Sequence, residues 1–470
     1  MKKGLLTALI FAGICSFMAV AQQAAQPAPL ISVKANAVSY LYGSKAGKID
    51  GAATKQHGDF VRVTGPVSME WSVQVPAAGT YEVRLTHSVK TAADGNNVTI
   101  AAGNSTVNYT LVPTQGVFGQ GSYERILLKD ILKLEAGTQQ ITLTVPAIAK
   151  GPVMELRAVE LVPVAAKAAI EADQKKAIRS RASTKWLTKA GYGLMFHYTS
   201  QSVNRDGTKK SYADAIDAFD LKAWVKMVKS TGAGYVIFTI GHAEPYCPAP
   251  IASWEKYHPG HTTKRDLVAE MADALNAEGI KLICYFPTHV VAKYRKVDEK
   301  EFSQINKEIM TEFGERYGKK VAGYWFDGWY QCFEEYPDVS FADFFKACKA
   351  GNPDRIIAIN SWIYPAVTEW QEYWAGETSS PVGLPTNGTA ERGPGMGLRY
   401  QSLIIMEPYW VQDKAAMPPP RFTADQLTKY IKGSMQQGGA VTVNMGIYQD
   451  GTVDENALQV MKDVAANIRK

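Results

Sequence analysis

Three of the seven histidines in this 470-residue chain stand at the ends of successive apolar runs. His197 closes the run 192–197, His242 follows 235–240, and His289 follows 281–286. A fourth run, 321–326, is followed directly by Asp327. Imidazoles and carboxylates gathered this way can transfer protons, attack an electrophilic carbon or hydrogen-bond to hydroxyl groups. Aromatic residues crowd the same places: Tyr198, Tyr246, Trp325, Trp329, Tyr330, Trp362, Trp374, Tyr409 and Trp410. Aromatic faces beside such groups suit the C–H faces and hydroxyl edges of a sugar.

Each residue also has a plainer explanation. A single histidine near an apolar strand is commonly a hydrogen-bonded core residue, and aromatics at strand ends often only cap a barrel. Asp327-Gly328 can form an ordinary turn. A carboxylate after Tyr324-Trp325-Phe326 is nevertheless costly to bury without partners. Recurrence at four successive strand ends favours a site.

The elements that must position these residues are parallel βα units. Apolar runs at 192–197, 235–240, 281–286, 321–326, 355–360, 372–375, 403–406 and 441–444 alternate with amphipathic stretches at 221–230, 264–278, 300–317 and 423–437. Eight such runs predict a (β/α)8 TIM-like barrel over 186–470, with functional residues on the loops after the strands. The short spacing between the fifth and sixth runs predicts an irregular β5–β6 sector. A doubly wound open sheet fits less well, because no Gly-rich phosphate loop follows any run.

Ahead of the barrel, residues 31–163 have period two. Glu70-Trp71-Ser72-Val73-Gln74-Val75 alternates, Pro76-Ala77-Ala78-Gly79 turns, and Thr80-Tyr81-Glu82-Val83-Arg84-Leu85 alternates again. Short alternating strands with Gly/Pro turns predict an antiparallel β-sandwich. The Ala-, Lys- and Arg-rich stretch 164–185 predicts a helical linker.

Residues 1–21 read as a secretory signal peptide: Lys2 and Lys3, an apolar run, then Ala19-Val20-Ala21. The expected protein is therefore exported, periplasmic or extracellular, with no membrane span. A net charge of +6 without a long Lys/Arg run argues against nucleic acid as a partner. Cys247, Cys284, Cys332 and Cys348 remain after the leader, too few for a dense disulfide framework. No metal-finger spacing and no cofactor motif appears, so neither metal nor cofactor is expected.

With these residues in place, the chain resembles glycoside hydrolase family 29, the retaining α-L-fucosidases. The likeness runs in order through Tyr192-Gly193-Leu194-Met195-Phe196-His197, Phe219-Asp220-Leu221-Lys222-Ala223-Trp224, Thr239-Ile240-Gly241-His242, Arg265-Asp266-Leu267, Tyr324-Trp325-Phe326-Asp327-Gly328 and Gln437-Gly438-Gly439-Ala440-Val441-Thr442-Val443-Asn444-Met445-Gly446. It implies that Asp327 is the nucleophile and that His197 and His242 contact sugar hydroxyls. Glu377, after Glu372-Tyr373-Trp374-Ala375-Gly376, is the implied acid/base, with Glu369, Glu391 and Glu407 behind it. His289, Trp329 and Trp410 complete the expected sugar contacts.

The chain departs from the family pattern at three places. Gly241 stands where the first of two adjacent histidines is usual, Ala243-Glu244-Pro245 replaces Asp-Gly, and Asn360-Ser361-Trp362 replaces a segment bearing an arginine. Glu244 and Trp362 are expected to reshape the sugar pocket. The N-terminal sandwich resembles carbohydrate-binding modules. The resemblance implies a secreted, retaining exo-glycosidase that removes α-L-fucose or a related sugar from glycans. Two other classes fit the same residues: a glycan-binding barrel without turnover, and a metal-dependent hydrolase with His197, His242, His289 and Asp327 as ligands.

Overall fold

The computed structural model describes residues 30–56, 60–89, 96–114, 123–146, 154–287, 297–329, 336, 338–360, 368–381, 389 and 397–469. The expected leader 1–21, His289, Trp362 and Glu391 lie outside the described residues.

The N-terminal strands are β1 (Leu30–Ser32), β2 (Ser39–Tyr42), β3 (Lys48–Gln56), β4 (Phe60–Val75), β5 (Gly79–Val89), β6 (Asn97–Ala102), β7 (Ser105–Thr110), β8 (Glu124–Leu134), β9 (Gly137–Val145) and β10 (Met154–Pro163). Where an antiparallel β-sandwich is expected, these strands form one hydrogen-bonded sheet, ordered β7-β6-β9-β4-β10-β5-β8, that curls into a nearly closed barrel. The cause is β4, whose Val61–Val63 end pairs with β10 while Val67–Val75 pairs with β9. Between these stretches Pro66 has no N–H to give. Opposite it the register slips at Gly51–Ala53, and Gly51 takes φ +111°. This bulge bends the strand, so one strand serves both layers. The alternating inward residues, among them Val63, Trp71, Val73, Leu85, Leu143 and Leu161, fill a core of their own.

The C-terminal strands are β11 (Tyr192–Phe196), β12 (Tyr235–Thr239), β13 (Lys281–Pro287), β14 (Val321–Asp327), β15 (Ile356–Ile359), β16 (Glu377–Ser379), β17 (Gln401–Ile405) and β18 (Ala440–Asn444). They form an eight-stranded parallel sheet ordered β15-β14-β13-β12-β11-β18-β17-β16. The first strand pairs with the eighth, Tyr192 opposite Val441, so the sheet curls as a barrel does. Among the described residues β15 and β16 do not pair, which leaves the curl open at the sector expected to be irregular.

The long helices pack outside the sheet, and local sequence fixes where they begin. Asp220, Asp266, Asp298 and Ser340 each accept a hydrogen bond from the backbone N–H three residues on. Thr423 and Gln426 form a reciprocal capping box. The connector becomes the helix Lys167–Arg179 followed by Lys185–Ala190.

The sixth strand is displaced from its expected place. Residues 372–375 were expected to form it, and it forms at Glu377–Ser379 instead. Glu372 cannot continue a regular ladder, because its own carboxylate accepts the Ile357 N–H at 2.8 Å. At Gly376 the backbone turns with φ +67°, and a Cβ there would meet the Gln401 carbonyl oxygen at 1.9 Å. Only glycine fits that turn. Glu377 therefore opens the sixth strand rather than following it.

Candidate active site

The inward positions of the parallel strands recur every second residue. Met195, Tyr235, Ile237, Ile283, Tyr285, Trp325, Ala358 and Leu403 belong to the central core of the curled sheet. One step further along the same faces stand His197 after Met195, Asp327 after Trp325, Asn360 after Ala358 and Asn444 after Thr442. The candidate site is the next layer of this interior.

Here a small cavity is lined by His197, His242, Trp325, Asp327, Glu377, Leu403 and Trp410.

Asp327 is surrounded by donors. The Tyr285 hydroxyl donates to Oδ2 at 2.6 Å. The Asn360 side-chain amide and the Gly328 N–H both donate to Oδ1 at 2.8 Å. Asn360 Nδ2 also donates to Glu377 Oε2 at 2.5 Å. One nitrogen thus serves both carboxylates, and the two oxygens that it joins lie no farther apart than these bonds end to end, about 5.3 Å. Burial, then the nearby Asp327 charge, push the Glu377 carboxyl up to about 8, against a smaller downward pull from Asn360. A carboxyl in that state carries a proton at neutral pH.

His197 is buried and its Nδ1 lies 2.7 Å from Asn444 Oδ1. The Asn444 Nδ2 donates to the Trp410 carbonyl, which fixes its oxygen as the acceptor for His197. Burial, then His242 beside it, lower the imidazole to about 3. His197 is therefore neutral, protonated at Nδ1, with a lone pair at Nε2. Its ring packs 5.3 Å from that of His242, 5.2 Å from Tyr285 and 5.3 Å from Trp410. Such a ring is held in orientation before any ligand arrives.

Of the residues expected from the sequence, His197, His242, Asp327, Glu377 and Trp410 meet at this cavity. Trp329 does not. It is fully buried against Phe302, Phe341 and Phe344, because the turn at Gly328 (φ +77°) sends it outward into the helix layer. Glu244 is exposed and accepts from Ser200, outside the lining. His289 and Trp362 lie outside the described residues. Glu369 faces the N-terminal domain, where Arg125 and Gln174 donate to it. Glu407 is buried beside the β18 turn, its Oε2 accepting from the Gly446 N–H at 2.9 Å. Among the described residues no three His, Cys, Asp or Glu side chains are grouped to hold a metal.

Three contributors were not selected from the sequence: Tyr285, Asn360 and Asn444. Each lies on an inward face within or just after an apolar run. The altered position Gly241 has φ +147°, and a Cβ would meet Trp254 and Pro287 at 3.3–3.4 Å. A histidine there would be strained as well as crowded, which accounts for the glycine.

The family model described as alpha-L-fucosidase matches residues 209–470, which include His242, Asp327 and Glu377. Over 283 residues the chain is 24% identical to alpha-L-fucosidase 1 of Arabidopsis thaliana, covering 55% of this chain and 53% of that protein. The chain thus spans about half the length of this curated relative. Among solved structures it is similar to alpha-L-fucosidase isoenzyme 1 from Paenibacillus thiaminolyticus, with 20% identity, a TM-score of 0.47, and 63% of this chain and 76% of that one covered. It is also similar to alpha-L-fucosidase AlfC from Lactobacillus casei in complex with alpha-L-fucose product, with 18% identity, a TM-score of 0.43, and coverage of 60% and 97%. Because the family model spans more than half of the sequence, the chain belongs to the alpha-L-fucosidase family.

Proposed function

We propose that this protein removes α-L-fucose, or a closely related sugar, from the ends of glycans with retention of anomeric configuration. The observation that carries this reading is the single Asn360 amide bound to both Asp327 and Glu377. Retaining glycosidases need their two carboxyl groups about 5–5.5 Å apart, whereas inverting ones need about 6.5–9.5 Å to admit a water. The bound of about 5.3 Å between the joined oxygens favours the closer class. Family membership supports fucose.

The chemistry runs in two steps. Asp327 attacks the anomeric carbon while Glu377 gives its proton to the departing glycosidic oxygen, leaving a glycosyl ester on Asp327 and a free alcohol. Esterification removes the Asp327 charge, one of the two causes that raise Glu377. The Glu377 proton affinity falls, and the carboxylate takes a proton from the incoming water. Water attacks the same carbon from the opposite face, restores the original configuration and frees Asp327. The Nε2 lone pair of His197 accepts a sugar hydroxyl, and Trp410 offers its face to the C–H side of the ring.

Proton NMR of freshly released sugar tests the reading. The first anomer to appear should be the α form, and Asp327→Ala should lose essentially all turnover. A β anomer as first product, or an active Asp327→Ala enzyme, would overturn it. Lys2, Lys3 and the apolar run before Ala19-Val20-Ala21 support export in the same reading, with Gln22 as the first residue of the mature chain.

A further inference from the structure

Glu377 begins a strand that, among the described residues, has a hydrogen-bonded neighbour strand on one side only, β17, with Glu377 opposite Leu403. Directly ahead of Glu377, the strap 368–376 spans from β15 to the residues that lead into β17. This strap crosses the open seam as follows. The Glu372 N–H donates to the Ile357 carbonyl at 2.8 Å, and the Glu372 carboxylate accepts the Ile357 N–H. The Trp374 N–H donates to the Arg399 carbonyl at 2.9 Å, and the Trp325 indole donates to the Ala375 carbonyl at 3.0 Å.

The strap is also gripped from outside the parallel sheet. The Glu369 carboxylate accepts from Arg125 of β8 at 3.1 Å and from Gln174 of the connector helix at 3.2 Å. The Glu369 carbonyl accepts from Arg181 at 3.0 and 3.2 Å. Glu372, fully buried, accepts from the Ala182 N–H at 3.0 Å and from Lys349. Arg125 is itself held by Glu160 of β10 at 2.8 Å, with the Glu160 side chain only 2% exposed. A guanidinium fixed between two carboxylates at a nearly dry interface holds geometry far better than an exposed pair does.

We infer that the N-terminal domain and its connector are part of the catalytic framework, with Arg125 a positioning residue that holds the strap through Glu369 and so aims Glu377. This rests on the reading of Glu377 as acid/base. It gives the N-terminal domain a task separate from any contact with glycan. An acid/base residue contributes typically about 10²–10⁴-fold and is sensitive to misplacement. Loosening the strap should therefore cost proton donation and leave nucleophilic attack intact.

The test uses the full chain with Arg125→Ala, Arg125→Lys, Glu369→Gln and Glu377→Ala. Two aryl α-L-fucosides are compared, one with a poor leaving group (4-methoxyphenol) and one that needs no proton (2,4-dinitrophenol). Formation of the glycosyl–enzyme is read under single-turnover conditions. Arg125→Ala and Glu369→Gln should slow the methoxyphenyl substrate by about tenfold or more and the dinitrophenyl substrate by less than about threefold. Arg125→Lys should restore much of the difference. Amide exchange across 368–377 should quicken in Arg125→Ala, a readout that needs no turnover.

Equal losses on both substrates, or full activity with unchanged exchange, would overturn the inference. If Glu377→Ala itself shows no leaving-group dependence, the assignment of Glu377 fails instead. Should Arg125→Ala not fold, the nearly isosteric Glu369→Gln carries the test by the same two readouts.

Discussion

The Tyr285 hydroxyl donates to Asp327 Oδ2 over 2.6 Å, from the strand adjacent to the one that carries Asp327. The phenol ring stacks on Trp325 at 5.2 Å and packs against His197, so its direction is set by the core. A hydrogen bond to a charged acceptor is worth about 1.5–3 kcal/mol. Tyr285→Phe keeps the packing and removes this bond alone. The expected result is a fall in kcat of about 10- to 100-fold with a smaller change in KM, measured on an aryl fucoside. Wild-type kcat would show that the bond does not orient the proposed nucleophile.

The Glu377 carboxyl is raised to about 8 and the proposed reaction needs it protonated, so kcat/KM should fall as pH rises through about 8. Asn360 pulls in the opposite direction by donating to Glu377. Asn360→Ala should accordingly move this alkaline limb to higher pH while lowering the plateau by about tenfold or more, since the amide also serves Asp327. A limb that stays in place, or moves down, would break the link between Asn360 and the acid.

Glu407 offers a test by stability. Burial raises its carboxyl to about 7, and Oε1 has no hydrogen-bond partner among the described residues. The folded state holds a proton that the unfolded chain releases near 4.5. Stability linked to Glu407 is therefore present below about 4.5 and is lost as pH rises to about 7. Glu407→Gln should raise the melting temperature at pH 8, by an amount corresponding to a few kcal/mol at most, and change it little at pH 4. Melting curves at the two pH values check the difference; equal shifts would count against burial as the cause.

Much of this was legible in the sequence, and the exceptions share a cause. Continuous apolar runs marked all of the parallel strands except the sixth, and strand ends marked His197, His242 and Asp327. A run buried on both faces does not say which alternate residues point inward. That ambiguity hides Tyr285, Asn360 and Asn444, and it makes Trp329 resemble a site residue although it points into the helix layer. The sixth strand was misplaced because Glu372-Tyr373-Trp374-Ala375 has strand-like composition. Its tertiary contacts, a carboxylate taking the Ile357 N–H and a turn at Gly376, override that local preference. In the N-terminal domain, alternation gave the strands. It could not show that β4 would pass from one layer to the other at Pro66.

The cavity described above has a consequence for which molecules it attracts. Its described lining carries two carboxyl groups, two histidines, of which burial keeps His197 neutral, and no lysine or arginine. In the proposed reaction, the positive charge that develops at the anomeric carbon meets carboxylate oxygen close by. Under the proposed function, a lining without lysine or arginine offers no cationic partner to a sugar that bears its own carboxylate, and so favours neutral rings over anionic ones.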